Sequence, residues 1–254
     1  MNSLKGQYAL VVGIANQDSI AWGCAKALHR CGAKVAVTWL NAKAEVYVRP
    51  LAEQLGAEIM LPLDVTNPDQ LEAVFSEIDK RWGRLDTLVH SIAFAPKDDL
   101  NGRLIDSSAI GFSKAMDVSV HSFLRMLHMA ESRMTNGGTC LTVSFLGANR
   151  VVQTYNMMGP VKAALECAMR YAAAELGEKG IRVHALSPGP IATRAASGID
   201  DFHELMKNVI RQAPTHRLAT IEDVGEMAAF LASPEAGNLT GGVHYIDGGY
   251  SIVT

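Results

Sequence analysis

The stretch Tyr8-Ala-Leu-Val-Val-Gly-Ile-Ala-Asn-Gln-Asp-Ser-Ile-Ala-Trp-Gly23 places a short apolar run, a glycine turn and the start of a helical pattern in succession. Such a run, closed by a glycine, is typical of a buried strand that ends in a sharp turn. A turn that leads into a helix presents free backbone N–H groups to an anion. The stretch therefore predicts a strand–turn–helix unit near the start of the chain.

The same alternation continues to the end of the chain. Near-continuous apolar strands of this kind are typical of a parallel sheet covered by helices on both faces. We predict an α/β fold, a doubly wound seven-stranded parallel sheet of the Rossmann type, in one domain spanning residues 1–254. The predicted strands are Tyr8–Val12, Lys34–Trp39, Glu58–Leu61, Thr87–Ser91, Thr139–Ser144, Arg182–Leu186 and Val243–Ile246. The predicted helices are Ile20–Arg30, Ala44–Leu55, Pro68–Trp82, Phe112–Met134, Asn156–Leu176 and Ile221–Leu231.

Composition narrows the class of protein. The 254 residues are 48% hydrophobic with a formal net charge of −3, and the charges form no long block of one sign. This balance argues against a nucleic-acid partner, and no apolar run is long enough to predict a membrane span. The four cysteines show no Cys-x-x-Cys spacing, so we predict no metal site, free thiols and a reducing, cytoplasmic setting.

The first turn is the predicted pyrophosphate site. Gly13 ends the strand, and Ala15, Ser19 and Ile20 lie in the turn and at the start of the helix. Ser19 is expected to cap the helix and to offer its hydroxyl to a phosphate. The usual three-glycine fingerprint is absent, so a capped turn without a nucleotide is the alternative at this point.

The end of the second strand bears on the choice of cofactor. Trp39 and Leu40 stand where an acidic residue would bind the adenosine ribose, and neither a carboxylate nor an arginine is present. Lys43 is the nearest cation in the sequence. Because a 2′-phosphate favours an arginine fork, we expect NADH rather than NADPH.

Two further strand ends should face the same ligand. Asp64 and Val65 follow the third strand, and Ser91, Ile92 and Ala93 follow the fourth. Ligands of doubly wound sheets bind at the carboxyl ends of the strands. Asp64 is therefore expected to bond the adenine, with helix capping as its alternative role.

After the sixth strand the chain reads Ser187-Pro-Gly-Pro-Ile-Ala-Thr193. Prolines around a glycine fix the backbone, and the small residues of 194–199 are typical of a mobile lid. Pro190, Ile191 and Thr193 are expected to contact the nicotinamide end of a cofactor. An ordinary surface loop is the alternative.

The pair Tyr155 and Lys162 is the candidate catalytic centre. Seven residues are two helical turns, so on one helix both side chains would lie on the same face. A phenol beside an ammonium stabilises negative charge that develops on a substrate oxygen. The alanine-rich helix that follows is open to two interpretations, a subunit interface or packing within the chain.

Together these motifs resemble the divergent branch of the short-chain dehydrogenase/reductase superfamily, the bacterial enoyl-acyl-carrier-protein reductases. Gly13 to Gly23 matches Gly-x5-Ser-Ile-Ala-x-Gly, and Tyr155 with Lys162 matches Tyr-x6-Lys. Gly189-Pro-Ile-x-Thr, Ala195-Ala-Ser-Gly-Ile199 and Asp247-Gly-Gly also match. The resemblance spans essentially the whole chain.

The resemblance implies an activity in type II fatty-acid synthesis. NADH reduces a trans-2-enoyl thioester, Tyr155 hydrogen-bonds the enolate oxygen, and Lys162 binds the nicotinamide ribose. The acyl group would lie in an apolar pocket. The resemblance assigns this pocket to Ala95, Phe145, Tyr155, Met158, Ala195 and Phe202. The implied partners are acyl-carrier protein or coenzyme A as thioesters, and the implied assembly is a homotetramer.

Three positions depart from the family pattern. Phe145 stands where the family usually has tyrosine, and Ala93 where it commonly has glycine. The segment Asp200-Asp-Phe-His-Glu204 is acidic where the family offers basic residues to the acidic carrier protein. These departures keep two alternatives open: a paralogue that reduces an enoyl-coenzyme A or a carbonyl, and a dinucleotide-binding regulator without turnover.

Overall fold

The computed structural model describes residues 4–193 and 202–253 and contains a seven-stranded, all-parallel sheet in the order β3-β2-β1-β4-β5-β6-β7. This confirms the predicted doubly wound fold. The strands are β1 Tyr8–Val12, β2 Lys34–Trp39, β3 Ile59–Pro62, β4 Thr87–His90, β5 Gly138–Val143, β6 Ile181–Pro188 and β7 Val243–Ile246.

Ten α-helices connect or follow these strands in the described part of the chain. They are α1 Ile20–Arg30, α2 Ala42–Gln54, α3 Pro68–Arg81, α4 Lys97–Leu100, α5 Ala109–Met116, α6 Ser122–Glu131, α7 Met158–Leu176, α8 Phe202–Gln212, α9 Ile221–Ala232 and α10 Tyr250–Val253. None of the helices in the described ranges is long and apolar enough to cross a membrane.

Strand β1 pairs with β2 on one side and with β4 on the other, so the winding of the sheet changes direction there. Val11 pairs with Val37 of β2, and Val12 pairs with His90 of β4. In parallel sheets, a crevice opens beyond the carboxyl ends of the strands at such a change of direction. The sheet thus places its ligand crevice next to the turn that begins at Gly13.

Each face of the sheet is covered by its own apolar core. One core packs α3, α6 and α7 against the sheet and contains the fully buried rings of Phe75 and Phe123. The other packs α1, α2 and α9 and contains Trp22 and Val48. Burial on both faces explains why the strands read as continuous apolar runs in the sequence.

Two glycines allow α1 and α9 to cross in backbone contact. A Cβ at Gly23 would lie 2.0 Å from the carbonyl oxygen of Ile221, and one at Gly225 would lie 2.4 Å from that of Gly23. Lys26 also forms an ion pair of 2.7 Å with Glu222 across the same crossing. Gly23 therefore serves helix packing, a role that its place in the first-turn motif did not indicate.

The structure corrects three helix predictions. The helix predicted for Phe112–Met134 is divided by a π-helical turn, Asp117–His121. The helix predicted to begin at Asn156 begins at Met158. Helix α8 was not predicted, although Phe202, Leu205 and Val209 recur at helical spacing in the sequence. Apart from Val209, its side chains are half-buried or exposed.

The π-helical turn has a visible consequence for the crevice. Ser119 is fully buried, and its hydroxyl accepts a hydrogen bond from Phe94 N at 3.0 Å and donates one to Phe94 O at 3.2 Å. The hydroxyl thereby satisfies two backbone groups of the loop after β4. Wide turns of this kind occur often at functional sites, and periodicity alone does not reveal them.

We predict that Gly23→Ala lowers the free energy of unfolding by about 1–3 kcal/mol, because the new methyl group overlaps the Ile221 carbonyl. Urea denaturation measures this change. The matched control is Gly177→Ala, where nothing lies within 4 Å of the added Cβ and φ is −60°. The control should be neutral or slightly stabilising, and equal losses in both variants would contradict the proposed contact.

Candidate active site

The predicted site residues at the ends of β1 and β4 lie in direct backbone contact. Gly13 has φ +106°, and a Cβ there would lie 2.0 Å from the Ser91 carbonyl oxygen. Ser91 N also donates to Val12 O at 3.0 Å. Only glycine can adopt this φ and also leave room for the Ser91 carbonyl. Gly13 therefore allows the turns after β1 and β4 to lie in contact at the edge of the crevice.

Ser19 holds the first turn by a different contact from the one predicted. It occupies the N-cap position of α1, but its side chain makes no cap hydrogen bond to the helix. Its hydroxyl oxygen instead accepts hydrogen bonds from Ala15 N at 3.0 Å and Asn16 N at 3.1 Å. The predicted side-chain cap is therefore wrong, because the hydroxyl turns back toward the loop. Ile20 begins α1 and is half-buried.

At the end of β2, one predicted residue is buried and the next is exposed. Trp39 is 2% exposed, whereas Leu40 is 56% exposed and its side chain is accessible beside the crevice. Arg49 of α2 stacks over the Trp39 ring at 5.0 Å and bonds Glu45. The sequence did not single out this cation, which Glu45 already neutralises.

The residues after β3 combine a local turn with a contact to a distant helix. One oxygen of Asp64 accepts hydrogen bonds from Thr66 N at 2.9 Å and from the Thr66 hydroxyl at 2.7 Å. That oxygen closes a local turn with Thr66, whereas α3 is capped by Asn67, which accepts hydrogen bonds from Asp69 N and Gln70 N, so the capping alternative for Asp64 is wrong. The carbonyl of the buried Val65 accepts a hydrogen bond from Arg125 of α6 at 3.1 Å. Arg125 also pairs with Asp117 at 2.7 Å, and this anchor was missed from sequence.

The loop after β4 forms one wall of the crevice. Ile92 and Ala95 are half-buried and pack against the core beneath α7, while Ala93 and Phe94 are exposed. Because Ser119 fixes the backbone of Phe94, this wall is anchored at its centre.

The loop after β6 is anchored to β7. Gly189 N donates to Ile246 O at 2.9 Å, and Pro190 is buried. Ile191 packs against the α1-side core, and Thr193 N bonds Ile191 O at 2.7 Å. The expected lid, 194–199, and Ala195 within it lie outside the described residues, whereas Phe202 begins α8 and is half-buried.

Tyr155 does not lie on the helix that carries Lys162. It sits between Thr154 at φ 67° and Asn156 at φ 41°, both left-handed, and α7 begins three residues after it. The prediction that one helix presents both side chains on one face is therefore wrong. Asparagine tolerates this conformation, but a β-branched threonine in it stores strain, and such strain often accompanies functional sites.

The Tyr155 ring is enclosed by two neighbours. Phe145 lies 4.8 Å away between ring centroids at an interplanar angle of 58°. On another side, a Cβ at Gly147 would lie 2.4 Å from the Tyr155 ring, so only glycine leaves room for it. Burial raises the pKa of the Tyr155 phenol above its usual value, and the hydroxyl is a proton donor at neutral pH. Gly147 is a further residue that the sequence did not reveal.

Lys162 is a buried cation at the end of β5. Its side chain is 4% exposed, and its ammonium donates to the Val143 carbonyl at 2.6 Å. Burial lowers the pKa of this ammonium to about 8. An ammonium has three N–H donors, and Val143 uses one of them within the described residues. The remaining donors fit a vicinal diol such as a ribose.

Glu166 completes the buried polar residues around the lysine. It is 3% exposed, accepts a hydrogen bond from Ser144 Oγ at 2.5 Å, and accepts another from Asn149 Nδ2 at 3.2 Å. Its position four residues after Lys162 on a predicted helix was a signal that could have identified it.

Met158 was expected to line the acyl pocket. Its side chain is buried in the core beside Tyr155, so it lies on the core side of the site.

The sequence matches a family model over most of its length. Residues 13–251 match the model described as enoyl-(acyl carrier protein) reductase. The chain is 45% identical over 250 residues to enoyl-[acyl-carrier-protein] reductase [NADH] 1 of Rhizobium meliloti, covering 98% of this chain and 92% of the relative. It is 43% identical over 255 residues to the FabI reductase of Bacillus cereus, covering 100% of both chains.

Solved structures are similar in three dimensions as well. The Bacillus cereus enoyl-acyl carrier protein reductase, solved with NADP+ and an indole naphthyridinone, has a TM-score of 0.97 at 42% identity and 100% coverage of both chains. The reductase of Anaplasma phagocytophilum, solved with NAD, has a TM-score of 0.95 at 41% identity, covering 100% of this chain and 97% of that one.

We predict that Ser19→Ala weakens binding of NADH by roughly tenfold, because the loop loses two hydrogen bonds that hold Ala15 and Asn16 in place. Fluorescence titration of bound NADH measures the dissociation constant. Ser132→Ala is the control, since Ser132 is exposed at the far end of α6. Unchanged affinity in Ser19→Ala would show that the turn does not need this hydroxyl.

Proposed function

The chain belongs to the enoyl-(acyl carrier protein) reductase family, and we propose on that premise that the crevice described above reduces a trans-2-enoyl thioester to the saturated acyl thioester with NADH. The observation that carries the proposal is the enclosed pair at the end of β5. A buried ammonium and a protonated buried phenol lie beside the crevice where the fold binds dinucleotides.

When bound, NADH supplies the hydride that reduces the double bond. Tyr155 would donate its hydroxyl proton in a hydrogen bond to the thioester carbonyl oxygen, where negative charge develops. Because Phe145 and Gly147 enclose the ring, the donor is oriented before the substrate arrives. Phe145 has no hydroxyl, so Tyr155 is the phenol assigned to this step.

Lys162 would hold the nicotinamide ribose hydroxyls through the donors that Val143 does not use. Its positive charge would also favour negative charge on the nearby substrate oxygen. At the other end of the crevice, we assign the pyrophosphate to the turn from Gly13 to Ile20. The adenosine would lie near Leu40 and Asp64, and the residues from Pro190 to Thr193 would contact the nicotinamide.

The acyl group would lie against the apolar residues on the substrate side of the crevice. Phe145, Ala95 and Phe202 are half-buried and offer surface to a chain of methylenes. Met158 supports Tyr155 from below, within the core. The assignment of Ala195 rests on the resemblance alone.

For the carrier of the thioester, we propose acyl-carrier protein, the carrier named for the relatives. Of the three acidic residues in the segment 200–204, the structure describes Glu204, which forms an exposed ion pair of 2.7 Å with Lys207. This pairing moderates the repulsion expected from the sequence. Coenzyme A is the alternative carrier, and assays with crotonyl thioesters of both carriers compare them directly.

We also propose that the protein is a homotetramer in a reducing, cytoplasmic setting and that the chain forms one domain. Two exposed faces support the tetramer: Tyr171 of α7 is 70% exposed, and the edge strand β7 and α9 expose Tyr245 and Phe230. Large apolar side chains on such faces are typical of subunit contacts. The cysteines in the described residues are free, and burial raises the pKa of Cys24 to about 12.

We predict that Tyr155→Phe lowers turnover of crotonyl thioesters by roughly 10²–10³-fold, because one hydrogen-bond donor to the developing oxyanion is lost. NADH affinity should stay close to that of the parent. Steady-state kinetics and NADH titration separate the two effects. The control is Tyr47→Phe, an exposed tyrosine on α2, which should keep parental rates. Parental turnover in Tyr155→Phe would overturn the catalytic assignment.

We predict that Leu40→Arg moves cofactor preference toward NADPH, because an exposed arginine beside the adenosine site supplies a partner for the 2′-phosphate. The ratio of kcat/KM for NADPH to that for NADH should rise by about tenfold or more, as one charge-assisted contact allows. Leu40→Ala is the control for loss of the leucine alone. If both variants give the same ratio, residue 40 does not face the phosphate.

A further inference from the structure

Glu166 is a buried carboxylate that the proposed reaction leaves without a role. It is 3% exposed and lies one helical turn beyond Lys162 on α7. Two donors hold it from outside the helix: Ser144 Oγ at 2.5 Å and Asn149 Nδ2 at 3.2 Å. A buried carboxylate costs several kcal/mol of desolvation unless it is well bonded, so a structural purpose alone would be served as well by an apolar residue.

The same carboxylate is joined to both sides of the catalytic pair. Ser144, its donor, lies between Val143 and Phe145 in the sequence. The Val143 carbonyl accepts from the Lys162 ammonium at 2.6 Å, and the Phe145 ring packs 4.8 Å from the Tyr155 ring. The backbone of this segment is held by the hydrogen bond from Ser144 N to Leu186 O at 2.7 Å, and the bond from Ser144 Oγ to Glu166 ties the same segment to α7.

We propose that Glu166 is a positioning residue for the reduction, and that its negative charge keeps the buried Lys162 protonated while its bond to Ser144 holds the end of β5. The proposal rests on the function proposed above and assigns a new residue to the same site. Within residues 4–193 and 202–253, no ion pair of 4.0 Å or less joins Glu166 to Lys162. The carboxylate therefore acts on the ammonium through space.

Within the described chain, Glu166 is the carboxylate whose charge acts on the Lys162 ammonium. Burial lowers the pKa of Lys162, and the Glu166 carboxylate acts in the opposite direction by raising it. Burial, and after it the Lys162 charge, lower the pKa of His90 of β4 to about 3. The His90 imidazole is therefore neutral at neutral pH. His90 is bonded between Thr142 and Ser122. The Tyr155 phenol is also uncharged at neutral pH, because burial raises its pKa.

The sign of the expected effect follows from these charges. The ammonium is present below the Lys162 pKa of about 8 and is lost as pH rises through that value. Removing the carboxylate removes a stabilising charge, so the pKa of Lys162 should fall further. The protein would then lose the charged lysine, and with it NADH affinity, at a lower pH.

The test is Glu166→Gln, which keeps the shape of the side chain and removes its charge. NADH dissociation constants and kcat/KM for a crotonyl thioester are measured from pH 6 to pH 9.5. The midpoint of the alkaline loss should move down by about one pH unit relative to the parent. Glu175→Gln, an exposed glutamate on the same helix, is the matched control and should leave the midpoint unchanged.

A purely structural role is distinguished by two further variants. Ser144→Ala breaks the same hydrogen bond but retains the charge, so its alkaline midpoint should not move down, although kcat should fall. In a Lys162→Arg background, Glu166→Gln should no longer shift the midpoint, because arginine stays charged throughout this range. A downward shift in Ser144→Ala equal to that of Glu166→Gln, or a shift that persists with arginine, would overturn the proposal.

The charge of Lys162 can also be measured directly in the parent protein, without relying on a variant that must fold or on turnover. NMR titration of the Lys162 side chain in the parent should show an ammonium that is still charged at pH 7. A lysine already neutral at pH 7 would overturn the proposal even if Glu166→Gln failed to fold. Absence of turnover in the parent, by contrast, would contradict the proposed function and leave this titration unaffected.

Discussion

Strand β1 hydrogen-bonds to β2 on one side and to β4 on the other, and this double pairing constrains nearly everything around it. Because all seven strands are parallel, their carboxyl ends meet at one edge, and the chain must turn there seven times. At β1 and β4 the two turns approach so closely that the Gly13 backbone touches the Ser91 carbonyl. The crevice follows from this pairing, and the side chains that line it come from segments far apart in sequence.

Three buried serine hydroxyls hold segments of the chain at this edge by short hydrogen bonds. The Ser19 hydroxyl bonds the first turn, and the Ser119 hydroxyl bonds the loop after β4. Ser144 supports the lysine side of the crevice in the same way. In each case a serine hydroxyl replaces water for groups that the fold has desolvated. The loops of the site are thus held by side chains with few rotamers, an arrangement that favours a preorganised crevice.

The sequence predicted the elements that repeat along the chain, which are the strands and most of the helices. It did not predict local features that occur only once. Apolar runs predicted all seven strands and the doubly wound fold, because strands that are buried on both faces are apolar along their whole length. The π-helical turn, the left-handed residues around Tyr155 and the reversed Ser19 hydroxyl were missed. The π-helical turn bonds the distant loop after β4, whereas the Ser19 hydroxyl depends on the conformation of its own loop, and neither leaves a signal in the apolar periodicity. Glu166 had a signal in its spacing from Lys162, but its burial could only be seen once β5 was placed beside α7.

The crossing of α1 and α9 also bears on how the molecule is made. Helix α1 is synthesised near the start of the chain, while the helix that its glycine face contacts ends only at Ala232. On the ribosome, the face of α1 that packs against α9 must wait for most of the chain to emerge. Contacts so distant in sequence form slowly, because loop closure is entropically costly. A nascent chain that stops before α9 would leave this apolar face open to chaperones or to aggregation, so the packing of α1 is completed only near the end of synthesis.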